Sequence, residues 1–569
     1  SAVYGNKALF ARIEALWQAR DTLDLTPEQA RVLMLSHRGF RRAGAGLNGA
    51  EDTRMREIMS RLSVLGTAFT QNLLADEAAW HMELSEADLE GLPEFVVDTA
   101  RAAGREKGLE GPVITLSRSL ITPFLQFSPR RDLRKRAFQA WVARGANGGE
   151  ADNRAVAEET LALRAERAKL LGYDSFAAFK LETEMAKTPE AVRDLLLAVW
   201  VPAKAQAEAD AEVLTAMLQG DGINGTLESW DWRYYAEKRR QAEHDLQETA
   251  LKPYLSLERM IEAAFGCANR LFGLEFKALD VPLYHPDCRA WEVTRGGEHV
   301  AVFIGDYFAR GSKRSGAWCS AMRGQAKWPK VQGPVVINVC NFAKGDPALL
   351  SYDDARTLFH EFGHALHQML SDVTYESVSG TSVARDFVEL PSQLYEHWLE
   401  VPEVLEQYAT HVETGAAMPR DLLDKMLKAA NFDMGFQTVE YVASALVDLA
   451  FHEGVPPEDL MARQAEVLAE IGMPQAITMR HASPHFAHVF SGDGYSSGYY
   501  SYMWSEVMDA DAFAAFEEAG GPFDPERARA LEAHILSRGG SEDAEALYCA
   551  FRGRLPGVEA LLKGRELAA

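Results

Sequence analysis

The sequence predicts a mainly α-helical protein with one small β-sheet, and three observations support this fold class. Apolar residues recur at helical spacing through most of the chain. Helix-start signals precede several of these stretches. At Thr26-Pro27 and Thr188-Pro189, a capping threonine comes before a proline at the first helical position. Strand signals are few, and most of them lie between residues 291 and 339.

The helical stretches follow one another through the first half of the chain. Their predicted bounds are 26–42, 52–77, 95–107, 150–172, 188–215, 232–249 and 257–271. Strand-like runs lie at 113–116 and 334–339, and two more, 291–294 and 298–304, form a predicted hairpin around Gly296-Gly297. The helical pattern resumes at Ser351 and continues almost to the end, so the predicted sheet lies just ahead of the last helical region.

Composition excludes several classes of protein. The net charge of −24 would repel a phosphate backbone, so nucleic acid is a poor partner, and the basic cluster at 130–136 is interpreted as a solvated helix face. The chain has no run of 18 apolar residues, so no membrane span is predicted, and the amphipathic segment 1–18 is unlike a secretion signal. The five cysteines, odd in number and without a CxxC pair, indicate reduced thiols in a cytoplasmic protein.

The region after Ser351 contains the motif His360-Glu361-Phe362-Gly363-His364. Histidines four residues apart lie on one face of a helix, so both imidazoles can bind one zinc ion. Glu361 then lies beside the ion and can accept a proton from a water molecule that the metal activates. Ser351 is a plausible cap for this helix, with Asp354 three residues later. The motif therefore predicts a zinc site with Glu361 as the general base.

A catalytic zinc site needs a third protein ligand. His367 is excluded, because it cannot converge on one ion with His360 and His364 unless the helix bends. The longer signature with a third histidine needs glycine at 367 and histidine at 370, and this chain has His367 and Leu370. A carboxylate from a second helix remains, and Glu389, near the start of a helix that contains Pro391, is the predicted ligand.

With the segment Asp386-Phe387-Val388-Glu389-Leu390-Pro391-Ser392-Gln393, the zinc motif resembles the thimet oligopeptidase and neurolysin family of zinc metallopeptidases. Further blocks that look similar to the family are 164–173, 230–235, 488–490 and 494–506, so the resemblance runs nearly end to end. Within the family, the segments 315–318, 380–385 and 491–494 are most similar to the bacterial peptidyl-dipeptidases (dipeptidyl carboxypeptidases).

The resemblance implies a two-lobed helical ellipsoid with a deep substrate channel and the small β-sheet next to the zinc-binding helix. We expect residues 1–569 to form one catalytic peptidase unit, with the strand region, zinc site and tyrosine-rich loop in 290–510. Members usually carry further N-terminal helices, so part of one lobe is expected to be absent. The implied cofactor is one Zn²⁺ per chain. We expect a cytoplasmic monomer that acts on oligopeptides and binds neither nucleic acid nor a membrane.

The resemblance also assigns roles around the metal. Tyr502 and Tyr495 are the expected donors to the oxyanion, with His488 assisting. Separately from the resemblance, Tyr499 in the same loop and Arg385 as a candidate cation are expected to bind substrate. The alternative for tyrosines at this spacing is core packing. The position four residues after Glu389 is Gln393, where some other zinc peptidases carry an aspartate, so the group that orients the histidines stays open.

Three further points stay open at the level of the sequence. The implied activity is release of dipeptides from free C-termini, and the alternative is an endo-acting oligopeptidase. The cation that binds the substrate carboxylate is one of a set that the sequence does not resolve: Arg385, Lys313, Arg314, Arg323 and His485. The strand at 334–339 is either an edge strand that pairs with the peptide or a buried strand. A catalytically idle peptide-binding protein is disfavoured, because it would not need Glu361.

Overall fold

The computed structural model of the chain describes residues 3–244, 246, 248–310, 313 and 316–567. Arg314 and Ser315, which the sequence interpretation used, lie outside these residues. Helices make up most of the described chain, which also contains one five-stranded sheet, and this confirms the predicted mainly α fold. Within the described ranges, no helix is both long enough and apolar enough to cross a bilayer.

The first half of the chain is helical apart from the short strands β1 (Met82–Glu83) and β2 (Val113–Ile114). Thr26 and Thr188 cap their helices through backbone N–H groups three residues on, as predicted. The predicted helix 232–249 ends earlier, at His244, and a separate short helix follows. The helices are α1 (Lys7–Ala19), α2 (Pro27–Arg42), α3 (Gly49–Ala79), α4 (Glu94–Glu106), α5 (Arg118–Phe127), α6 (Arg131–Val142), α7 (Arg154–Leu170), α8 (Phe176–Leu181), α9 (Pro189–Gly220), α10 (Ser229–His244), α11 (Glu248–Leu251) and α12 (Leu257–Phe272).

The five-stranded sheet follows α12. Its strands are β3 (Leu274–Leu279), β4 (Arg289–Arg295), β5 (Glu298–Phe308), β6 (Trp318–Arg323) and β7 (Val335–Phe342). Their order across the sheet is β3-β4-β5-β7-β6, with β5 and β7 parallel and the other neighbours antiparallel. The predicted hairpin is confirmed as β4–β5, whereas β3 and β6 carry no strong strand signal and were not predicted.

The hypothesis of an edge strand at 334–339 is wrong. β7 lies between β5 and β6, and most of its residues are buried. Its nearly continuous apolar run is typical of a strand that is covered on both faces and paired on both sides. The two edges of the sheet are β3 and β6, and the residues of β6 from Ser320 to Arg323 are exposed.

The remaining helices follow β7. Ser351 caps α13 through a capping box: its Oγ accepts the Asp354 N–H at 3.0 Å, and its own N–H donates to Asp354 at 3.0 Å. The helices are α13 (Tyr352–Met369), α14 (Arg385–Val388), α15 (Leu390–Glu400), α16 (Pro402–Tyr408), α17 (Arg420–Ala430), α18 (Met434–Glu453), α19 (Leu460–Glu470), α20 (Ala487–Phe490), α21 (Ser501–Ala519), α22 (Pro525–Leu531), α23 (Ala544–Arg552) and α24 (Glu559–Gly564).

Two large hydrophobic cores organise these elements. The first joins the sheet to α12, α13 and α15, and the second joins α9 to α18 and to the chain segment around Tyr499. Helix α21 belongs to both, because Met508 and Phe516 pack in the first core and Met503 and Val507 in the second. The helix that contains the motif and the tyrosine-rich segment therefore belong to different cores, which α21 connects.

One part of the basic cluster at 130–136 differs from the predicted solvated face. Arg134 is only 1% exposed, and its guanidinium donates to the buried carboxylate of Asp231 at 2.9 Å. Arg131 donates to the same carboxylate at 2.7 Å. A buried charge needs a partner, so this pair links α6 to α10. The five cysteines, all in the described part of the chain, are unpaired.

Helix α15 packs on α13 at Gly363. A Cβ atom at this position would lie 2.5 Å from the carbonyl oxygen of Pro391 and 2.6 Å from Cα of Ser392. Real Cβ atoms do not approach backbone this closely, so only glycine lets the two helices come together here. The approach brings Glu389, immediately before α15, towards the histidines of α13.

We predict that Gly363→Ala forces α15 away from α13 and lowers the apparent melting temperature. Overpacking of this kind costs about 1–3 kcal/mol. Metal content should fall as well, because Glu389 moves with α15. Thermal unfolding and metal analysis measure the two effects. Gly220→Ala is the control, since an added Cβ there meets no atom within 4 Å. Unchanged stability and metal content in Gly363→Ala would contradict this account.

Candidate active site

Three side chains converge where α13 meets the start of α15. His360, His364 and Glu389 form the one group in the described residues that could hold a metal ion, with their ligand atoms within 4.8 Å of one another. Oε2 of Glu389 lies 3.3 Å from Nε2 of His360 and 3.1 Å from Nε2 of His364. Ligands at about 2.0–2.1 Å from a tetrahedral ion are roughly 3.3 Å apart. The donor set therefore fits one such ion, and His367 is not part of it.

Glu389 is ionised at its position beside the two histidines. Burial raises the pKa of its carboxyl group, but hydrogen bonds with His360 and His364 outweigh burial and hold the pKa well below its usual range. Ser392 Oγ donates to the carboxylate at 3.2 Å and to the Glu389 carbonyl oxygen at 2.9 Å. The side chain is therefore an ionised carboxylate, as a metal ligand needs to be, and the first turn of α15 sets its position.

Glu396 contacts one of the predicted zinc ligands, and the sequence interpretation missed it. Nδ1 of His360 lies 2.6 Å from Oε1 of Glu396, and Arg356 pairs with the same carboxylate. A carboxylate that accepts the Nδ1 proton leaves Nε2 as the metal-binding nitrogen and holds the ring in place. The available signal is spacing: Glu396 follows Glu389, the residue that precedes α15, by about two helical turns, so the two side chains lie on the same side of the helix.

Glu361 lies beside the cluster and takes no part in it. Its side chain is 5% exposed, and Oε2 has no hydrogen-bond partner in the described part of the chain. Burial raises the pKa of Glu361, although the neighbouring histidines oppose that rise. A buried, unpartnered carboxylate with a raised pKa is a stronger base than a solvated one.

The tyrosine loop, residues 488–502, faces the same region. The rings of Tyr495 and Tyr502 stack with centroids 5.5 Å apart, and the guanidinium of Arg385 lies 4.8 Å above the Tyr495 ring. The exposed imidazole of His488 lies 5.7 Å from the Tyr495 ring. Burial, together with Tyr495 and Glu389, raises the pKa of Tyr502, so its phenol stays protonated and can donate a hydrogen bond.

Comparison with known proteins assigns the chain to a family. The model of Peptidase family M3 matches residues 124–567. The chain belongs to this family. It is similar to a dipeptidyl carboxypeptidase of Salmonella typhimurium, with 38% identity over 99% of this chain and 84% of the relative. It is also similar to oligopeptidase A of Escherichia coli, with 37% identity over 97% of this chain and 84% of the relative.

These findings confirm the predicted family and show that the M3 chain is a metallopeptidase. Two solved structures share its fold. A putative oligoendopeptidase F matches 97% of this chain and 79% of its own, with a TM-score of 0.51 and 14% identity. PZ peptidase A with an inhibitor matches 94% and 78%, with a TM-score of 0.51 and 13% identity.

In this M3 peptidase, Tyr499 is more buried than the other predicted site tyrosines. Its side chain is 3% exposed and packs against His481 and Phe486 in the second core. Its ring lies 5.8 Å from that of Tyr502, and burial raises the pKa of Tyr499 to about 12. Tyr499 thus packs against Tyr502 from the second core, and its predicted contact with substrate stays a prediction.

The candidate cations for binding the substrate C-terminal carboxylate differ in their hydrogen-bond partners. The ammonium group of Lys313 donates hydrogen bonds to the Asp306 carboxylate and to the Phe308 carbonyl oxygen. Burial lowers the pKa of His485 to about 3, and its Nε2 accepts the Ala482 N–H at 2.9 Å, so this imidazole is neutral. Arg323 donates to the Gly333 carbonyl oxygen on the sheet edge.

Arg385 has a different environment. It is exposed and lines a cavity of about 350 Å³ that also contains three other cationic side chains, Arg31, Arg38 and Lys187. Of these, Arg31 donates to the carbonyl oxygens of Gly540 and Glu542, and Lys187 pairs with Asp543 at 3.0 Å. Among the described candidates, Arg385 is the one in contact with the tyrosine pair.

We predict that Glu396→Gln weakens metal binding about 10- to 100-fold, because the amide no longer holds the His360 ring as a carboxylate does. Competition with a chromogenic chelator measures the affinity, and Glu389→Ala, which lacks a ligand, marks the complete loss. Glu400→Gln is the matched control: it lies one turn further along α15 and accepts from Tyr352 at 3.2 Å, away from His360. If Glu396→Gln bound metal like the unaltered chain, the orienting role of Glu396 would be wrong.

Proposed function

We propose that this M3 peptidase uses one zinc ion, held by His360, His364 and Glu389, to hydrolyse oligopeptides and release dipeptides from their free C-termini. The observation that carries the proposal is the convergence of three candidate ligand atoms beside Glu361, whose buried Oε2 has no hydrogen-bond partner among the described residues. The dipeptidyl carboxypeptidase relatives support the exopeptidase specificity. The oligopeptidase A relatives support the alternative, an endo-acting peptidase with the same site.

When bound, zinc supplies Lewis-acid polarisation of the attacking water and of the peptide carbonyl group. Glu361 accepts the water proton at its free carboxylate oxygen and passes it to the amine leaving group. Tyr502 and Tyr495 donate their O–H groups to the carbonyl oxygen as negative charge develops on it. Because the pKa of Tyr502 is raised, this donation adds no negative charge to a site already rich in carboxylates.

Of the two edge strands, β6 is the one near Glu361, and we propose that it binds the peptide backbone. Its residues Ser320 and Ala321 are exposed, and the thiol of Cys319 lies close enough to Glu361 for that carboxylate to raise its pKa further, after burial. An extended peptide added to this edge would satisfy backbone groups whatever its side chains. We therefore transfer the backbone-pairing role from 334–339 to β6.

Arg385 is the proposed anchor for the substrate C-terminal carboxylate. It combines exposure to a cavity, contact with Tyr495, and no described carboxylate partner of its guanidinium. The overall charge of −24 repels a peptide C-terminus at long range, so a local cation is needed. His488 is exposed beside Tyr495 and is proposed to assist the tyrosines. Monomeric state and cytoplasmic location stay predictions.

Glu361→Gln tests the general base. The amide keeps the shape of the side chain but cannot accept a proton, so turnover should fall by at least ~10²-fold. Metal content should stay near one ion per chain, because Glu361 is not a ligand. Steady-state kinetics and metal analysis of the same preparation give both values. Loss of metal along with activity would point to a ligand or folding role instead.

Amidation of the substrate tests the exopeptidase specificity. A short peptide with a free C-terminus should release successive dipeptides, identified by mass, and its amidated twin should react roughly ten- to a hundredfold more slowly in kcat/KM. Arg385→Ala should slow the free peptide by a similar factor and leave the amidated peptide nearly unchanged.

Arg38→Ala, in the same cavity, is the matched control and should preserve the preference for the free peptide. If Arg38→Ala removed the preference instead, the anchor would be Arg38. Cleavage at scattered internal bonds, equally fast for both peptides, would overturn the exopeptidase proposal and favour the endo-acting alternative.

A further inference from the structure

Two buried charged side chains, Arg164 and Asp448, form hydrogen bonds with the backbone of the tyrosine loop. The first is Arg164 on α7, which is 1% exposed. Its guanidinium donates to the carbonyl oxygens of Val489 at 2.7 Å and Gly492 at 2.9 Å, and to the carboxylate of Asp493 at 3.0 Å. These contacts hold the segment that leads into Tyr495.

The second is Asp448 on α18, which is 2% exposed. Its carboxylate accepts three consecutive backbone N–H groups, from Ser497 at 2.8 Å, Gly498 at 3.0 Å and Tyr499 at 3.1 Å. A buried carboxylate is unfavourable unless such donors satisfy it. The three N–H groups and Asp448 therefore depend on one another.

His452 joins the two charges. Its Nε2 lies 3.2 Å from the Arg164 guanidinium, and its Nδ1 lies 2.7 Å from the Asp448 carbonyl oxygen and 3.1 Å from the Asp448 carboxylate. A guanidinium can only donate, so Nε2 accepts and Nδ1 carries the proton. Arg164, His452 and Asp448 thus form one buried polar network between α7, α18 and the loop.

The polar network contacts a turn of the backbone at Ser497. Ser497 has φ of +52°, in the left-handed region that residues other than glycine seldom occupy. The chain reverses at this turn, so that Tyr495 before it stacks on Tyr502 after it. A residue in a disfavoured conformation stays there only when its surroundings impose it. The imposing group at this turn is the carboxylate of Asp448.

We propose that Asp448 is a positioning residue for the hydrolytic reaction: by accepting the three N–H groups it fixes the left-handed turn at Ser497 and so places Tyr495 and Tyr502 for the oxyanion. The proposal rests on the proposed function in one respect, the role of these tyrosines as donors. Asp448 itself is buried under the loop and reaches the substrate only through them.

Asp448→Asn is the first test, because it keeps the size of the side chain but removes the charge and one acceptor. We expect kcat to fall about ten- to a hundredfold, the scale of a small misplacement of catalytic groups. KM should change much less, and metal content should stay the same. Hydrogen exchange of the amides of 497–499 should become about tenfold faster, while exchange in α13 is unchanged.

Two double variants separate positioning from a general loss of stability. Glycine adopts positive φ without strain, so Ser497→Gly in the Asp448→Asn background should restore most of kcat. In a Tyr502→Phe background, Asp448→Asn should cost little more, because both changes act through the same group. Asp511→Asn is the control. Asp511 is equally buried, lies more than two turns beyond Tyr502 on α21 and pairs with Tyr548 and Arg552 rather than with the tyrosine loop, so melting temperature should fall with kcat unchanged.

The proposal is overturned if Asp448→Asn behaves like Asp511→Asn, or if its effect on kcat adds fully to that of Tyr502→Phe without rescue by Ser497→Gly. Failure of the proposed function looks different. If Tyr502→Phe alone kept full turnover, the donor role of Tyr502 would be wrong, and exchange at 497–499 would still show whether Asp448 fixes the turn.

Discussion

The close contact between α13 and α15 at Gly363 is the constraint on which the rest of the site depends. His360 and His364 lie on α13 on either side of this glycine in sequence, and Glu389 precedes α15 directly. An added Cβ would overlap the backbone at Pro391 and Ser392, so the helices can approach only because position 363 has no side chain. Tyr395 of α15 then packs against Phe359 and Phe362 and holds the pair of helices together.

The approach places several carboxylates in a buried region of an acidic protein, and their partners decide their states. Glu396 lies between His360 and Arg356, and Glu389 faces both histidines, so both carboxylates have a lowered pKa and stay ionised. Glu361 lacks such a partner on one oxygen, and burial raises its pKa. The three glutamates therefore differ in how readily they take up a proton, because their contacts differ. Glu389 and Glu396 stay ionised, which suits a metal ligand and a group that orients His360, whereas Glu361 is suited to accept a proton.

The proposed metal ligands and the tyrosines lie on elements of different hydrophobic cores, and buried polar contacts align the two. Asp386, three residues before Glu389, accepts the Tyr500 hydroxyl at 2.8 Å and the backbone N–H groups of Met185 and Ala186 at 2.8 and 2.9 Å. Ser505 of α21 donates to the Asp386 carbonyl oxygen at 2.8 Å. With the network beneath Ser497, these contacts relate the tyrosine loop to the ligands. Such contacts are directional, so they define the alignment more narrowly than apolar packing does.

The sequence by itself determined what depends on neighbouring residues in the chain. Helix periodicity and capping located α13 and most other long helices, and the four-residue spacing placed His360 and His364 on one face with Glu361 beside them. The predicted Glu389 also lies with them. Tertiary structure alone decided that Glu396 contacts His360, that β7 is internal and β6 an edge, and that Lys313 and His485 are not free cations. Each of these depends on contacts between residues far apart in the chain, which local periodicity does not encode.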